Sequence, residues 1–208
     1  MDKRGSTIYI VDDDDSVCRA VSVLLRSHGF TVESFTRSAD FLSCKRPNVP
    51  SCLLLDVQLP DINGLDLQET MGRRGIATPV IFITGYGDIP MSVKGMKAGA
   101  VDFLPKPFTK EKLLDAVAHA VSKSKAQIKE SAEIAKIKRR IKTLSPRELE
   151  VFGLVAKGML SKQIARKRGT SLQTIKVHRG RVMQKMQAKT VTELIHFAQK
   201  TGIIPSPR

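Results

Sequence analysis

Cysteine is scarce in this chain, with three residues among 208, at Cys18, Cys44 and Cys52. Their number is odd, their spacing is wide, and each lies within an apolar segment. This pattern argues against a disulfide framework and against a zinc site. We therefore expect three buried thiols.

Long hydrophobic runs are also missing. No apolar stretch approaches the roughly 20 residues of a membrane-spanning helix, and the opening MDKRGSTIYIVDDDD lacks the apolar core of a signal peptide. With 41% hydrophobic and 26% charged residues, the composition is typical of an ordered globular protein. We expect a cytoplasmic protein without membrane attachment, built as one large domain or two modest ones.

Acidic residues are rare in the second part of the chain. Residues 121–208 contain 21 Lys and Arg against 5 Asp and Glu, a net charge of +16, whereas residues 1–120 contain 14 against 15, a net charge of −1. This asymmetry favours a small-ligand or metal site followed by a nucleic-acid binder. A solvated basic face is the simpler alternative, and charge alone does not exclude it.

The first part of the chain alternates short apolar runs with helical patterns. The runs predict strands at Thr7–Val11, Thr31–Phe35, Cys52–Val57, Val80–Thr84 and Val101–Leu104, and the patterns predict helices at Ser16–Ser27, Ala39–Ser43, Leu65–Arg73, Met91–Lys97 and from Lys110 onward. Such alternation predicts an α/β domain with a doubly wound, five-stranded parallel sheet. Gly29, Gly75 and Gly99 fall at the helix ends, where left-handed caps are common.

Four consecutive carboxylates, Asp12 to Asp15, follow the first predicted strand. Asp14 and Asp15 suit the start of the next helix, where side-chain oxygens accept from free N–H groups. Asp12 and Asp13 should instead point into the crevice at the carboxyl end of the sheet, where open α/β sheets bind ligands. Because buried carboxylates without partners are costly, a divalent cation is their simplest partner.

Three further polar residues lie at predicted strand ends: Asp56 at the end of the third strand, Thr84 at the end of the fourth and Lys106 at the end of the fifth. A lone carboxylate such as Asp56 is able to act as a nucleophile toward phosphorus. Lys106 and Thr84 offer a positive charge and a hydroxyl to phosphate oxygens. Taken singly, these residues also suit a cap, a solvated charge and an ordinary strand position, but their joint occurrence favours a phosphoryl-transfer site.

The same site suggests a set of magnesium ligands. Asp13, Asp56 and the backbone carbonyl of Gln58 are the expected ligands, with Asp12 reaching the ion through water, because Mg²⁺ prefers oxygen ligands and keeps some of its waters. The ion would screen the repulsion between three carboxylates and an incoming phosphoryl donor.

These residues resemble the receiver domain of response regulators, and the run TGYGDIPMSVKGMKAGAVDFLPKPF is similar to the FixJ branch of that family. The resemblance covers roughly Ser6 to Ser122. It implies a flavodoxin-like strand order 2-1-3-4-5 and phosphorylation of Asp56 by the phosphohistidine of a sensor histidine kinase. It also implies a cis peptide bond between Lys106 and Pro107.

The resemblance further implies a switch and a pairing surface. On phosphorylation, Thr84 would move toward the phosphate and Phe103 would turn inward into the space it leaves. The pairing surface would lie on the fourth helix and fifth strand, around Met91–Lys97 and Val101–Leu104, and would join two copies of the chain.

Neither Gly nor Pro occurs between Phe108 and Ser145, and apolar residues recur there at helical spacing, so the fifth helix should continue through a linker at residues 123–137. Four short helices should follow. Their predicted start signals are a capping box of Ser145 and Glu148, an N-cap at Ser161, a turn at Gly169–Thr170, and a second capping box of Thr190 and Glu193. A tight turn between the second and third helices is typical of a helix-turn-helix domain.

The third of these helices divides into two stripes. Ile175, Val182 and Met186 should pack inward. The candidate DNA face consists of Gln173, Lys176, Val177, Gly180 and Gln184. The residues that flank this face and suit phosphate contacts are Thr174, Arg179 and Arg181. His178 lies at the boundary, where we expect a hydrogen-bonded structural histidine rather than a metal ligand.

The pattern LSPRELEVFGLVAKG, SKQIA and TIKVHRGRVMQKM resembles the LuxR-type DNA-binding domain, over about Lys138 to Ile203. The chain is thus interpreted as a NarL/FixJ-type response regulator with a receiver at 6–122, a helical linker at 123–137 and a DNA-binding domain at 138–203. Its expected cofactor is Mg²⁺, and its expected partners are a sensor histidine kinase, promoter DNA and, once phosphorylated, a second copy of itself.

Two other functions remain open at this point. A Mg²⁺-dependent aspartyl-phosphate phosphohydrolase with a basic nucleic-acid-binding tail would resemble the haloacid dehalogenase class, but that class has its nucleophile in a D-x-D pair after the first strand, whereas Asp56 follows the third. A constitutive nucleoid-type DNA binder would leave the acidic residues without a purpose. We therefore do not expect a metabolic enzyme, only a receiver that catalyses its own phosphoryl transfer and slow dephosphorylation.

Overall fold

The computed structural model describes residues 5–85 and 89–205, and the side chains of all these residues except 89–92. It divides into two compact units, Met1–Lys129 and Glu130–Arg208. The boundary between them falls inside one helix of 32 residues, Lys110–Ile141. The prediction of an unbroken helix after the fifth strand is therefore confirmed.

The first unit is an α/β sandwich around one parallel sheet. Its elements are β1 (Thr7–Val11), α1 (Asp15–Ser27), β2 (Thr31–Phe35), α2 (Ser38–Ser43), β3 (Ser51–Asp56), α3 (Gly64–Arg73), β4 (Val80–Thr84), α4 (Ile89–Lys97), β5 (Asp102–Pro105) and α5 (Lys110–Ile141). Every neighbouring strand pair is parallel, and the order is β2-β1-β3-β4-β5, as predicted.

Alternate residues of the strands face two separate hydrophobic layers. Ile8 and Leu54 point to one side, where they pack with apolar residues of α1 and α5. Tyr9 and Leu55 point to the other side, where they pack with apolar residues of α2 and α3. Because both faces of the sheet are buried, the strands read as nearly continuous apolar runs.

The helix ends follow the signals in the sequence. Asp14 is the N-cap of α1, and its side chain accepts from the backbone N–H groups of Ser16 and Val17. Gly29, Gly75 and Gly99 all have positive φ, as expected of left-handed caps. The predicted element bounds are correct to within two residues, and β3 ends at Asp56 itself rather than at Val57.

The second unit is helical. It contains the end of α5 and four further helices: α6 (Pro146–Ala156), α7 (Ser161–Arg168), α8 (Leu172–Met186) and α9 (Val191–Lys200). Val151, Phe152, Ile164, Val182 and Leu194 meet in its core. The capping box of Ser145 and Glu148 is present as predicted.

The predicted N-cap of α7 is wrong by one residue. Leu160 is the N-cap and Ser161 is the first helical residue. The side chain of Gln163 accepts from the Leu160 N–H at 2.8 Å, so no hydroxyl is needed there. The Ser161 hydroxyl instead accepts from Arg179 of α8 at 3.2 Å.

Two of the three cysteines match the expectation of buried thiols. Cys18 and Cys52 are buried, whereas Cys44 is only partly buried because it lies at the end of the short helix α2. Burial raises the pKa of the Cys18 thiol to about 11, which keeps it protonated.

None of the described helices combines the length and hydrophobicity needed to cross a bilayer.

Candidate functional site

The strand register brings the predicted polar residues to one edge of the sheet. Val11 pairs with Leu55, and Thr84 pairs with Pro105, so the carboxyl ends of β1, β3, β4 and β5 lie side by side. Asp12 and Lys106 are the residues that directly follow two of these strands. The parallel sheet therefore assembles residues that are up to 94 positions apart.

Lys106 links two of the carboxylates. Its Nζ donates to Oδ2 of Asp12 at 2.7 Å and to Oδ2 of Asp56 at 2.6 Å. The other oxygen of each carboxylate accepts a backbone N–H, from Asp14 at 3.0 Å and from Gln58 at 2.8 Å. These bonds fix the orientation of both buried side chains.

Three carboxylates form a cluster at this edge. One oxygen from each of Asp12, Asp13 and Asp56 lies within 4.8 Å of the others. Asp12 and Asp56 are buried while Asp13 is exposed, so the cluster is open to solvent on one side. Three carboxylates and one ammonium leave two negative charges uncompensated, and this all-oxygen donor set fits a hard divalent cation.

The pKa shifts of Asp12 and Lys106 also indicate that negative charge in the cluster is incompletely compensated. Burial raises the pKa of Asp12, and hydrogen bonds from Lys106 and from the Asp14 N–H only partly offset it. Burial alone would lower the pKa of Lys106, but its bonds to two carboxylates outweigh this effect and raise that pKa. The ammonium of Lys106 is therefore firmly charged, while the negative charge of Asp12 is only partly compensated.

Thr84 and Phe103, the two residues of the switch hypothesis, lie on the neighbouring strands β4 and β5. Thr84 is buried at the end of β4, and its backbone carbonyl accepts from the Lys106 N–H at 2.6 Å. Phe103 is half-buried and its ring centroid lies 5.7 Å from that of Phe82. The Lys106–Pro107 peptide bond is cis.

Gly64 is a site residue that the sequence reasoning missed. It begins α3, and a Cβ at this position would lie 2.4 Å from the carbonyl oxygen of Asp56 and 3.0 Å from Cα of Val57. Only glycine permits this approach of α3 to the strand that carries Asp56. The sequence offered just one signal, an Asn63–Gly64 pair shortly after the third strand.

In the helical unit, α8 shows the two predicted stripes. Ile175, Val182 and Met186 are buried. The candidate DNA face, formed by Gln173, Lys176, Val177, Gly180 and Gln184, is exposed throughout. Among the flanking residues, Thr174 and Arg181 are exposed, while Arg179 is half-buried and donates to Ser161.

The expectation for His178 is wrong in one respect. The residue is half-buried at the boundary of α8, as expected. Its Nδ1 atom is buried, however, and has no hydrogen-bond partner among the described residues. Among the described residues, the group that could hold a metal ion is the three-carboxylate cluster of the first unit.

The comparisons with known proteins match both units of the chain. The family model for the response regulator receiver domain matches residues 8–118, and the model for bacterial regulatory proteins of the luxR family matches residues 142–198. The chain is 44% identical to nodulation protein W of Bradyrhizobium diazoefficiens over 94% of the chain and 86% of that protein. It is 41% identical to the response regulator protein TodT of Pseudomonas putida over 96% of the chain and 88% of that protein.

Among solved structures, the response regulator StyR has a TM-score of 0.79 and 39% sequence identity, with 94% of this chain and 99% of that chain covered. The family consists of transcriptional response regulators with a DNA-binding domain and not of classical enzymes, so the phosphohydrolase alternative is not favoured. Receiver and LuxR-type domains together imply a sensor kinase and DNA as partners. The chain therefore belongs to the NarL/FixJ family of response regulators and is a phosphorylation-dependent regulator of transcription.

Proposed function

We propose that Asp56 is the residue that receives the phosphoryl group. The observation that carries this proposal is the contact between Asp56 and Lys106, 2.6 Å apart, inside the cluster of three carboxylates. A carboxylate oxygen of Asp56 would attack the phosphorus of a phosphohistidine, forming a P–O bond as the P–N bond breaks and the electron pair leaves with the imidazole.

The neighbouring residues have distinct roles in this proposal. Asp13, Asp56 and the carbonyl of Gln58 would bind Mg²⁺, with Asp12 acting through water, and the ion would neutralise phosphoryl oxygens. Lys106 would move from its bonds with the carboxylates to a phosphate oxygen, and the Thr84 hydroxyl would donate to another. Phe103 would then turn inward, which alters the surface formed by α4 and β5.

The proposal also includes the domain bounds, the cellular location, the pairing of two chains and the DNA contacts. The proposed domains are a receiver at 6–122, a linker at 123–137 and a DNA-binding domain at 138–203, acting in the cytoplasm. Two phosphorylated copies would pair and present two α8 helices to a promoter, where Gln173, Lys176, Val177 and Gly180 would face base edges and Thr174, Arg179 and Arg181 would contact phosphates.

Labelling with a small phosphodonor and Mg²⁺ tests the proposal. The wild-type chain should take up label in a stoichiometric, acid-stable and base-labile form, and chelation of Mg²⁺ should prevent it. Asp56→Asn should abolish labelling with the fold preserved, since the amide keeps the shape and loses the nucleophile. Asp40→Asn, the same change at an exposed position of α2, should label normally. Retained labelling of Asp56→Asn at another residue would refute the assignment.

A further inference from the structure

A partly open pocket lies in the helical unit, between α6, the end of α7 and α8. Its volume is about 250 Å³, and its polar lining consists of Arg147, Glu150, Arg168, Thr170, Thr174 and His178. The receiver chemistry makes no use of these residues. The predicted DNA contacts include only Thr174.

The pocket carries a surplus of positive charge. Nη1 of Arg147 lies 3.3 Å from Oε2 of Glu150, and Nη2 of Arg168 donates to the same oxygen. One carboxylate thus holds two guanidinium groups, which leaves one positive charge uncompensated. Each of these bonds uses a single N–H of its guanidinium, and a guanidinium has several in a planar fork.

A buried nitrogen in the pocket wall points to a missing partner. Nδ1 of His178 is shielded from solvent and accepts or donates no hydrogen bond among the described residues. Buried polar atoms are nearly always paired, and an unpaired one is commonly explained by a bound water or ligand. With its proton on Nδ1, the imidazole would offer a donor to an acceptor that came within reach of it.

We propose that this pocket binds a phosphate-type oxyanion. Arg147, Arg168 and His178 line the space, and guanidinium forks bind phosphate oxygens in pairs. Thr174 connects the pocket to the edge of the candidate DNA face, because it is exposed in the first turn of α8. The oxyanion has two possible sources, a phosphate of the DNA backbone or a free phosphate. If it is a backbone phosphate, the inference rests on the proposed DNA-binding function.

Binding of inorganic phosphate to the full chain tests the pocket itself. At constant pH and ionic strength, phosphate should shift the NMR signals of the His178 ring saturably, and Arg168→Gln should weaken this response at least tenfold. Lys136→Gln, which removes one charge from an exposed position of α5, should respond like the wild-type chain. Arg147→Gln provides a second variant. An unsaturable or absent shift in the wild-type chain overturns the inference and requires no variant to fold.

The salt dependence of DNA binding distinguishes the two sources of the oxyanion. If bound DNA blocks the phosphate response and Arg168→Gln reduces the slope of log K against log salt by about one, the ligand is a backbone phosphate. If the phosphate response persists on DNA with an unchanged slope, the ligand is a free phosphate. A wild-type chain that responds to phosphate and fails to bind any DNA would contradict the proposed function and leave the pocket supported.

Discussion

At the residue scale, one ammonium group serves two buried carboxylates in the acidic site. Lys106 contacts both Asp12 and Asp56, yet the pKa of Asp12 is still raised by burial. The single positive charge of Lys106 does not neutralise the three carboxylates of the cluster. Its ammonium group also occupies part of the space near Asp56. This residue should oppose metal binding and promote phosphoryl transfer.

Replacing Lys106 should separate these two effects. Lys106→Met keeps an unbranched side chain, one atom shorter, and removes the charge, so the cluster should bind Mg²⁺ several-fold more tightly. Phosphorylation should nevertheless slow at least tenfold, about 1.4 kcal/mol, because the phosphate loses its cationic partner. Calorimetric Mg²⁺ titration and labelling rates measure the two quantities, with the exposed Lys110→Met as control. Weaker Mg²⁺ binding by Lys106→Met would contradict this account.

Gly64 allows a second residue-scale prediction. Gly64→Ala places a Cβ against the backbone carbonyl of Asp56, so we expect a loss of about 1–3 kcal/mol of unfolding free energy and a lower labelling rate. Gly72 lies in the same helix with open space around its Cα, and Gly72→Ala should be neutral or slightly stabilising. Chemical denaturation of both variants provides the comparison. Equal stabilities would show that the approach of α3 is not constrained at Gly64.

At the element scale, an ion pair between buried Glu148 and partly exposed Lys185 joins α6 to α8. Oε2 of Glu148 accepts from Nζ of Lys185 at 2.6 Å and from the Ser145 N–H at 2.8 Å. The bond from Lys185 and then the bond from Ser145 lower the pKa of Glu148 to about 2. Glu148 therefore stabilises the folded unit above its ordinary pKa of 4.5, and this contribution is lost as the pH falls through about 2.

Glu148→Gln should therefore destabilise the chain by about 1–2 kcal/mol at neutral pH, a discounted value because Lys185 is partly exposed. The difference from the wild-type chain should shrink as the pH falls from 4.5 toward 2. Thermal unfolding followed by circular dichroism at several pH values measures it. Glu193→Gln, at the start of α9, is the matched control and should cost less. A difference independent of pH would rule out the ion pair as its source.

On the exposed face of α8, we expect different residues to recognise the base sequence and to bind the DNA phosphates. If Lys176 reads a base edge, Lys176→Ala should cost about 1–3 kcal/mol on the specific site and relax its sequence preference. Arg181→Ala should weaken all sites alike and lower the salt slope by about one. Binding to specific and random duplexes over a range of salt concentrations tests both. Equal losses on the two duplexes from Lys176→Ala would remove that residue from the reading face.

At the scale of the whole molecule, local sequence patterns predicted the secondary-structure elements and the strand-end residues of the site. They did not predict contacts between residues that are distant in the sequence. Apolar runs and capping signals located the strands and helices, and the strand ends located Asp12, Asp56 and Lys106. The approach of Gly64 to Asp56, the pairing of Glu148 with Lys185 and the position of the Arg179 side chain were not predicted. Each joins residues that no local pattern relates, so only the folded structure reveals it.

Pairing of two chains is the last step that the proposed function requires. Met96 and Val93 of α4 are 47% and 45% exposed, and such apolar side chains suit a surface that becomes buried on dimer formation. Met96→Glu should leave labelling of Asp56 intact and raise the dissociation constant of the phosphorylated dimer at least tenfold, about 1.4 kcal/mol. Val23→Glu makes the same kind of change on α1, where the valine is 68% exposed, and should leave the dimer unchanged. Sedimentation equilibrium with and without phosphodonor measures both, and a phosphorylated Met96→Glu dimer as stable as the wild-type dimer would exclude α4 from the pairing surface.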